Sequence, residues 1–236
     1  MNIMFPVFGN TEESYQSGVA ESKNRLWEAH LEESSSSQWI YVADGDGKVL
    51  SGAHWEFHKE SPFINGAPTL EAVWHPEGEG RDFASRTVNE IYGLRAKRLV
   101  RPYAQLDMMF TYPKERRKGY GGMLMKWGMD KAAEMGVEVA VESSDQGYRL
   151  YKKFGLRSIQ KIAVDTAVDT LATLGRDFNP ILAILSFGGC GNHVKESTKR
   201  ARLCFHGRQR IDFLGISFAP QIDIWEIGSM WQIGNQ

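Results

Sequence analysis

Apolar Val19, Leu26 and Trp27, with His30, recur at near-helical spacing among charged residues between positions 12 and 33, which predicts an amphipathic helix ended by the serine run 34–37. QWIYVA then reads as a strand, DGDGK supplies the Asp-Gly chemistry of a hairpin turn, and VLSGAHWEFHKE resumes with alternating character. In that second strand His54, Glu56 and His58 fall on one face and Ala53, Trp55 and Phe57 on the other. A Pro- and Gly-rich loop, SPFINGAPTLEAVWHPEGEG, leads into a second helical pattern through Phe83, Val88, Ile91, Leu94 and Leu99. The mostly apolar AQLDMMFT reads as a strand buried on both faces and stopped by Pro113. After the loop KERRKGYGG comes a helix with Met123, Leu124, Trp127 and Met135 on its buried side and Gly136 as its stop, followed by the strand VEVAVES.

Strand, loop, helix and strand within this short span make a βαβ-like unit whose two strands are expected to run parallel. A short helix over 146–154 and a strand over 156–164 complete the periodic part of the chain. Beyond Asp165 the pattern weakens. DTAVDTLATLG fits a helix, FNPILAILSF fits either a strand or a buried helix, and 195–210 is basic.

The 236 residues, 42% of them hydrophobic, are enough for one substantial packed domain with or without an appendage. With 28 Lys+Arg against 29 Asp+Glu the formal net charge is -1, so no global basic field exists to attract nucleic acid, and an anion site would have to be local. The opening MNIMFPVFGNTEESYQ lacks the pattern of a signal peptide and no apolar run spans a bilayer, which leads to the expectation of a soluble cytoplasmic protein without a membrane partner. Cys190 and Cys204 stand alone, far from any CxxC or Cys/His cluster, so neither a disulfide framework nor a metal site is expected.

The local anion site is legible in RRKGYGG. Successive amides in a glycine-rich turn at a helix N-terminus form a concave donor set in the positive end of the helix dipole. The glycines permit close approach, and Arg116, Arg117 and Lys118 add charge. A triphosphate loop would continue Gly-Lys-Ser/Thr, but Gly122 is followed by Met123 and Leu124. A dinucleotide-binding turn would sit tight against the strand with a third glycine, where Leu124 stands instead. Glu138 and Glu142, near the spacing of a ribose-binding acid, keep that alternative open.

The stretch LDMMFTYPKERRKGYGGMLMKWGMDKAAEMGVEVAVESSDQGYRLYKKFGL resembles the central part of the GNAT superfamily of acyl-CoA-dependent N-acyltransferases. Arg116, Gly119 and Gly121 match the family's Gln/Arg-x-x-Gly-x-Gly/Ala signature, and LYKKFGL its later Leu-Tyr-x-Lys-x-Gly-Phe pattern. WHPEGEGRDFA and the Asp-Gly hairpin look like fungal members. The resemblance implies an α/β fold with a mixed sheet and a splayed pair of central parallel strands, residues 106–111 and 137–142. It implies acetyl-CoA as co-substrate and no metal. The backbone of Met109 and Thr111 would hold the pantetheine arm, while Arg116, Arg117, Lys118, Gly119, Tyr120, Gly121 and Gly122 would hold the pyrophosphate. Residues 1–165 are then the transferase domain, its first strand absent or rebuilt, and 166–236 a divergent extension without a match to the family's ending.

In such enzymes a neutral amine attacks the thioester, so a base must first take the ammonium proton. Asp107, a carboxylate in an otherwise apolar strand and expected on one face with Gln105 and Met109, is the first candidate; a structural Asp bonded to a neighbouring loop is the alternative. Glu56, with His54 or His58, is the second candidate. Tyr151 matches the motif tyrosine that protonates the departing thiolate, and Trp74 and His75 are candidates for the acceptor pocket. The reading that results is an N-acetyltransferase acting on a small-molecule or peptide amine, in secondary metabolism or detoxification, with a homodimer as a possible assembly. A non-catalytic acyl-CoA-binding module and a protein acetyltransferase are the alternatives.

Overall fold

The computed structural model of the chain describes residues 11–143, 145–163 and 181–187. Helix α1 (Glu12–Glu32) opens on a capping box, in which the Thr11 side chain accepts from the Ser14 amide and the Ser14 side chain from the Thr11 amide. Strands β1 (Ser37–Ala43) and β2 (Val49–His58) form the predicted antiparallel hairpin. Its turn is fixed by Asp44, whose carboxylate accepts from the amides of Asp46 and Lys48 at 3.1 and 3.0 Å. After α2 (Glu79–Arg98) come β3 (Tyr103–Thr111), a single 3-10 turn over Pro113–Glu115, α3 (Tyr120–Met135), β4 (Glu138–Ser143), α4 (Asp145–Lys153), β5 (Arg157–Ala163) and β6 (Ile181–Phe187).

The strands form one mixed sheet in the order β1-β2-β3-β4-β6-β5. Only β3 and β4 pair in parallel, as a helical crossover requires; every other neighbouring pair is antiparallel. The apolar run that fitted either strand or helix contributes β6, which enters between β4 and β5. The sheet therefore includes a segment from beyond residue 165, and the expected domain boundary does not coincide with its edge. Residues 164–180, with the whole DTAVDTLATLG pattern, the basic stretch 195–210 and both cysteines lie outside the described residues.

The two faces of the sheet differ in chemistry. On one, Ala53, Trp55, Phe57, Leu106, Val139 and Val141 pack against Leu124, Met125 and Ala132 of α3 and Tyr151 of α4. The helix crosses directly over Trp55, so close that a Cβ on Gly128 would lie 2.1 Å from the indole ring. Met125 is fully buried while Met123 and Trp127 are only partly covered, so the buried stripe of α3 is rotated slightly from the one its sequence predicts. The opposite face carries His54, Gln105, Asp107 and Glu142 beneath α1 and α2. There Val19 and His30 of α1 turn inward, but Trp27, expected among them, is 44% exposed.

A candidate active site at the splayed strands

Between β3 and α3 the chain makes a tight glycine-rich turn, the candidate anion site. Arg117 has φ 67, the one non-glycine residue with positive φ among those described, and Gly119 follows with φ 95. Left-handed residues this close together in a turn can aim neighbouring N–H groups toward one concavity. Among the described residues, none of the amides from Arg117 to Gly122 donates to a backbone carbonyl, whereas Met123 donates to Gly119 at 3.1 Å and closes the first turn of α3. Gly121 is needed for proximity, because a Cβ there would lie 3.2 Å from Leu150 and 3.8 Å from the Met109 sulfur. A Cβ on Gly122 would meet nothing within 4 Å, so the space beside it is open. Lys118 is paired with Glu115 at 2.7 Å, and Arg116 reaches back to the Thr111 carbonyl at 3.4 Å. Six amides without carbonyl partners, flanked by three cations, have the donor chemistry that a pyrophosphate requires.

The parallel ladder is short. Tyr103 to Leu106 pair with Glu138 to Val141, and from Asp107 onward β3 has no partner on β4. Asp107 is also the extra residue of a β-bulge, since His54 pairs with Met108 and Trp55 with Leu106. That extra residue reverses the alternation. Met109, expected on one face with Asp107 and Gln105, instead pairs with Ala53 and packs on the α3 side. Thr111 pairs with Ser51, whose hydroxyl lies 2.8 Å from its own.

Where the strands part, a buried arginine spans the gap. Arg95 of α2 donates to both Glu142 oxygens at 2.9 and 2.8 Å and to Asp107 at 3.3 Å, while Gln105 donates to Glu142 at 2.9 Å. On its other side Asp107 meets His54 Nδ1 at 3.3 Å. Burial works to raise the Asp107 carboxyl, but the His54 hydrogen bond and the Arg95 guanidinium outweigh it and hold it at about 2. Burial works to lower His54, yet the Asp107 hydrogen bond and the nearby carboxylates bring it above its ordinary value. The imidazole is stacked on Trp39, with centroids 4.6 Å apart and planes 14° from parallel. Its Nε2 lies 2.7 Å from Ser37 Oγ, which lies 2.7 Å from His30 Nδ1.

Glu56 joins this face as expected and sits 3.1 Å from His58. His54, Glu56 and Asp107 bring ligand atoms within 4.8 Å of one another, but each is engaged by an internal partner and the Arg95 cation touches Asp107, so the group forms a charge-paired cluster. Tyr151 lies across the sheet, 7% exposed, against the α3 core, and burial alone pushes its phenol up to about 12. A Cβ on Gly147 would meet the Tyr151 ring at 2.7 Å, so the small residue one turn earlier makes room for it. Trp74 packs on the second core of Ala72, Phe83, Ala84, Val88 and Ile91 and stacks under Arg25 at 4.5 Å; His75 beside it is buried.

The geometry thus groups Asp107 with Glu56 and His54 on one face, and Met109, the loop and Tyr151 on the other. Sequence reasoning missed Arg95, Ser37 and the position of His30. A buried arginine in a helix otherwise rich in surface charge leaves little trace, although the Arg-rich last turn of α2 offered a hint.

The described helices include none long and apolar enough to cross a membrane. Among solved structures, the chain is similar to arylalkylamine N-acetyltransferase 2 from Aedes aegypti, at 12% identity over 71% of this chain and 80% of that one, TM-score 0.47. A polyamine N-acetyltransferase of Drosophila melanogaster matches at 16% identity over 62% and 71%, TM-score 0.42. An N-acetyltransferase of Bacillus subtilis in complex with coenzyme A matches at 11% over 78% and 85%, TM-score 0.37. No curated protein matches the chain. The sequence model described as the acetyltransferase (GNAT) family matches residues 10–156, which is more than half of the 236 residues and takes in the glycine-rich turn, the diverging strands and Tyr151, so the chain belongs to the GNAT acetyltransferase family.

Proposed function

We propose that this protein transfers the acetyl group of acetyl-CoA to a primary amine of a small molecule or peptide, in a ternary complex and by direct attack. The observation that carries the reading is the alignment of two features: the run of carbonyl-free amides from Arg117 to Gly122 and the unpaired edge of β3 that leads to it. When bound, acetyl-CoA supplies the activated acetyl thioester. The loop amides, with Arg116, Arg117 and Lys118, hold its pyrophosphate, and the β3 backbone at Met109 and Thr111 holds the pantetheine arm.

The acidic face formed by Glu56 and Asp107 attracts the ammonium form of the acceptor. A carboxylate held at about 2 is a weak base, so Asp107 acts together with His54: the pair takes the ammonium proton, and Asp107 holds the imidazole in place. The freed amine attacks the thioester carbonyl, the C–N bond forms, the nitrogen gives up its second proton to solvent and the C–S bond breaks. Tyr151 gives its phenolic proton to the departing sulfur and is reprotonated by solvent; burial keeps that phenol neutral beforehand. Residues 1–165 are the catalytic part in this reading, joined by β6. We place the reaction in the cytoplasm, in detoxification or secondary metabolism.

Calorimetry with acetyl-CoA, followed by thiol release with a panel of arylalkyl, polyamine and peptide amines, tests the proposal. Micromolar binding with turnover of at least one amine is expected. Binding without turnover on any of them would leave a cofactor-binding module, and no binding would overturn the assignment of the loop.

A further inference from the structure

Past the bulge, the face that holds His54 changes from acidic to apolar, and the reaction above does not use that part of it. His54 pairs with Met108 on β3 and with Trp39 on β1; two residues back along β2, Gly52 pairs with Phe110 and with Tyr41. Side chains directly opposite one another across neighbouring strands share a face, so these two rows lie side by side on the His54 side of the sheet. The Phe110 ring folds over Gly52, where a Cβ would meet two of its ring carbons at 2.6 Å. Trp39 stacks on His54 with ring centroids 4.6 Å apart. Trp39, Tyr41, Met108 and Phe110 thus make an apolar floor that begins beside Asp107, the hydrogen-bond partner of His54.

Solvent reaches both halves of this surface. Tyr41 is 41% exposed, and Trp39, Met108 and Phe110 are partly exposed. At the acidic end Asp107 and Glu56 keep 18% and 17% of their side-chain surface open. A ligand resting here would therefore meet carboxylates at one end and aromatic rings with a thioether at the other. The two rows contribute Trp39, His54 and Met108, then Tyr41, Gly52 and Phe110, with no acid among them.

We infer that this floor seats the acceptor, and that the acceptor is a primary amine with one positive charge and a flat aromatic group, its ammonium at Asp107 and Glu56 and its ring against Met108 and Phe110. The inference rests on the proposed acetyl transfer for the role of that amine. Charge complementarity exists at one end only: the ammonium meets two carboxylates, whereas a second cation lying over the floor would lose its hydration and find no partner. Aromatic rings and a thioether favour a planar ring over a plain alkyl chain, through edge and offset contacts and sulfur–ring contacts. His54 and Gly52 stand two residues apart, roughly 6–7 Å along the strand, which suits an arm of about two carbons between nitrogen and ring.

Phe110 and Met108 determine specificity by touching the ring of the acceptor, and Tyr41 and Trp39 border it. Gly52 acts through Phe110 and is a positioning residue: its missing side chain is what lets the phenyl ring lie down across β2. A methyl group there would lift the ring and spoil the floor while leaving Asp107, Glu56 and the glycine-rich turn in place.

The test measures kcat/KM for phenethylamine, hexylamine and putrescine at saturating acetyl-CoA, together with calorimetric binding of the same amines to the full chain loaded with coenzyme A. Phenethylamine should exceed both others by about tenfold or more, the worth of burying a ring of this size. Phe110→Ala should raise KM for phenethylamine by about tenfold, with kcat and the hexylamine values nearly unchanged, and Phe110→Leu should recover part of the loss. Hexylamine or putrescine used as well as phenethylamine, or a preference that Phe110→Ala does not move, would overturn the assignment. Should that variant fail to fold, Tyr41→Ala at its exposed position decides: it should lower the preference about threefold, and an unmoved preference overturns the floor. Sedimentation that shows a dimer in the parent and a monomer in Tyr41→Ala would mean that a second copy covers the floor, and also overturns it. Phenethylamine that binds through Phe110 yet is never acetylated would refute the acetyl-transfer reading and not the floor, whereas amines acetylated without regard to a ring would refute the floor and not the transfer.

Discussion

Arg95 and Glu142 meet in a two-pronged contact, Nε to Oε1 at 2.9 Å and Nη2 to Oε2 at 2.8 Å, one residue past the last parallel pair of β3 and β4. The same guanidinium reaches Asp107, so a single side chain from α2 ties together the two strands that diverge. Arg95 itself is buried, and removing it strands two carboxylates in a protein interior. Arg95→Met is expected to cost about 3–5 kcal/mol in urea unfolding, since breaking a buried pair leaves an uncompensated charge. Arg95→Lys should recover only a small part, because an ammonium cannot reproduce the fork. Stability equal to the parent in both variants would show that the pair is dispensable.

Acid should expose the same network. The folded Asp107 carboxyl titrates at about 2 against an ordinary 3.8, so protons bind the unfolded chain more readily there. Its contribution is whole above the ordinary value and is lost as pH falls from about 4 through about 2, an effect of about 2 kcal/mol. Asp107→Asn should flatten this part of the acid dependence of the urea midpoint. Parallel decline of parent and variant would count against the assignment.

Tyr151→Phe removes a hydroxyl and leaves the ring that packs on the core. Turnover should fall by about two orders of magnitude, the usual worth of a positioned acid, with acetyl-CoA affinity in calorimetry unchanged. Because the phenol stays protonated to about 12, the parent should show no basic limb from Tyr151 in the working range. An unaltered kcat would remove this residue from the mechanism.

Two glycines of α3 should respond in opposite ways. Gly128→Ala drives a methyl into the Trp55 ring, 2.1 Å away, and should cost about 1–3 kcal/mol as overpacking. Gly122→Ala meets open space and should hold or slightly raise stability in the absence of cofactor. On the proposed acetyl-CoA reading it should nevertheless weaken coenzyme A binding several-fold, because that reading sets the phosphates in this open space. Thermal unfolding with and without coenzyme A measures both effects.

The hairpin, the α3 stop at Gly136 and the RRKGYGG cradle were readable because each is set by local chemistry: turn carboxylates, positive φ and successive amides. The parallel pair was readable because a helix crossover permits little else. Three features were not. The bulge at Asp107 depends on a pairing register with β2 that no spacing within β3 encodes, and so the side of Met109 came out reversed. β6 joins the sheet across a long intervening stretch, and its apolar run carries no period to distinguish strand from helix. Arg95 looks like any helix-surface cation until α2 is laid over the divergence of the strands, and Ser37 belongs to a serine run that reads as a helix stop.

The bulge gives β3 two different jobs along its length. Up to Asp107 the strand keeps one orientation, with carboxylate and amide groups toward α2 and aliphatic groups toward α3. One surplus residue later the orientation is exchanged, and the thioether of Met109 comes to rest against Gly121, in the first turn of α3. Deleting Asp107 would restore regular pairing and leave Met109 opposite Ala53 on the α3 side, but it would take the carboxylate off the face beneath α2. One amino acid of length is thus what lets β3 hold a carboxylate beneath α2 and still bring Met109 back beside Gly121.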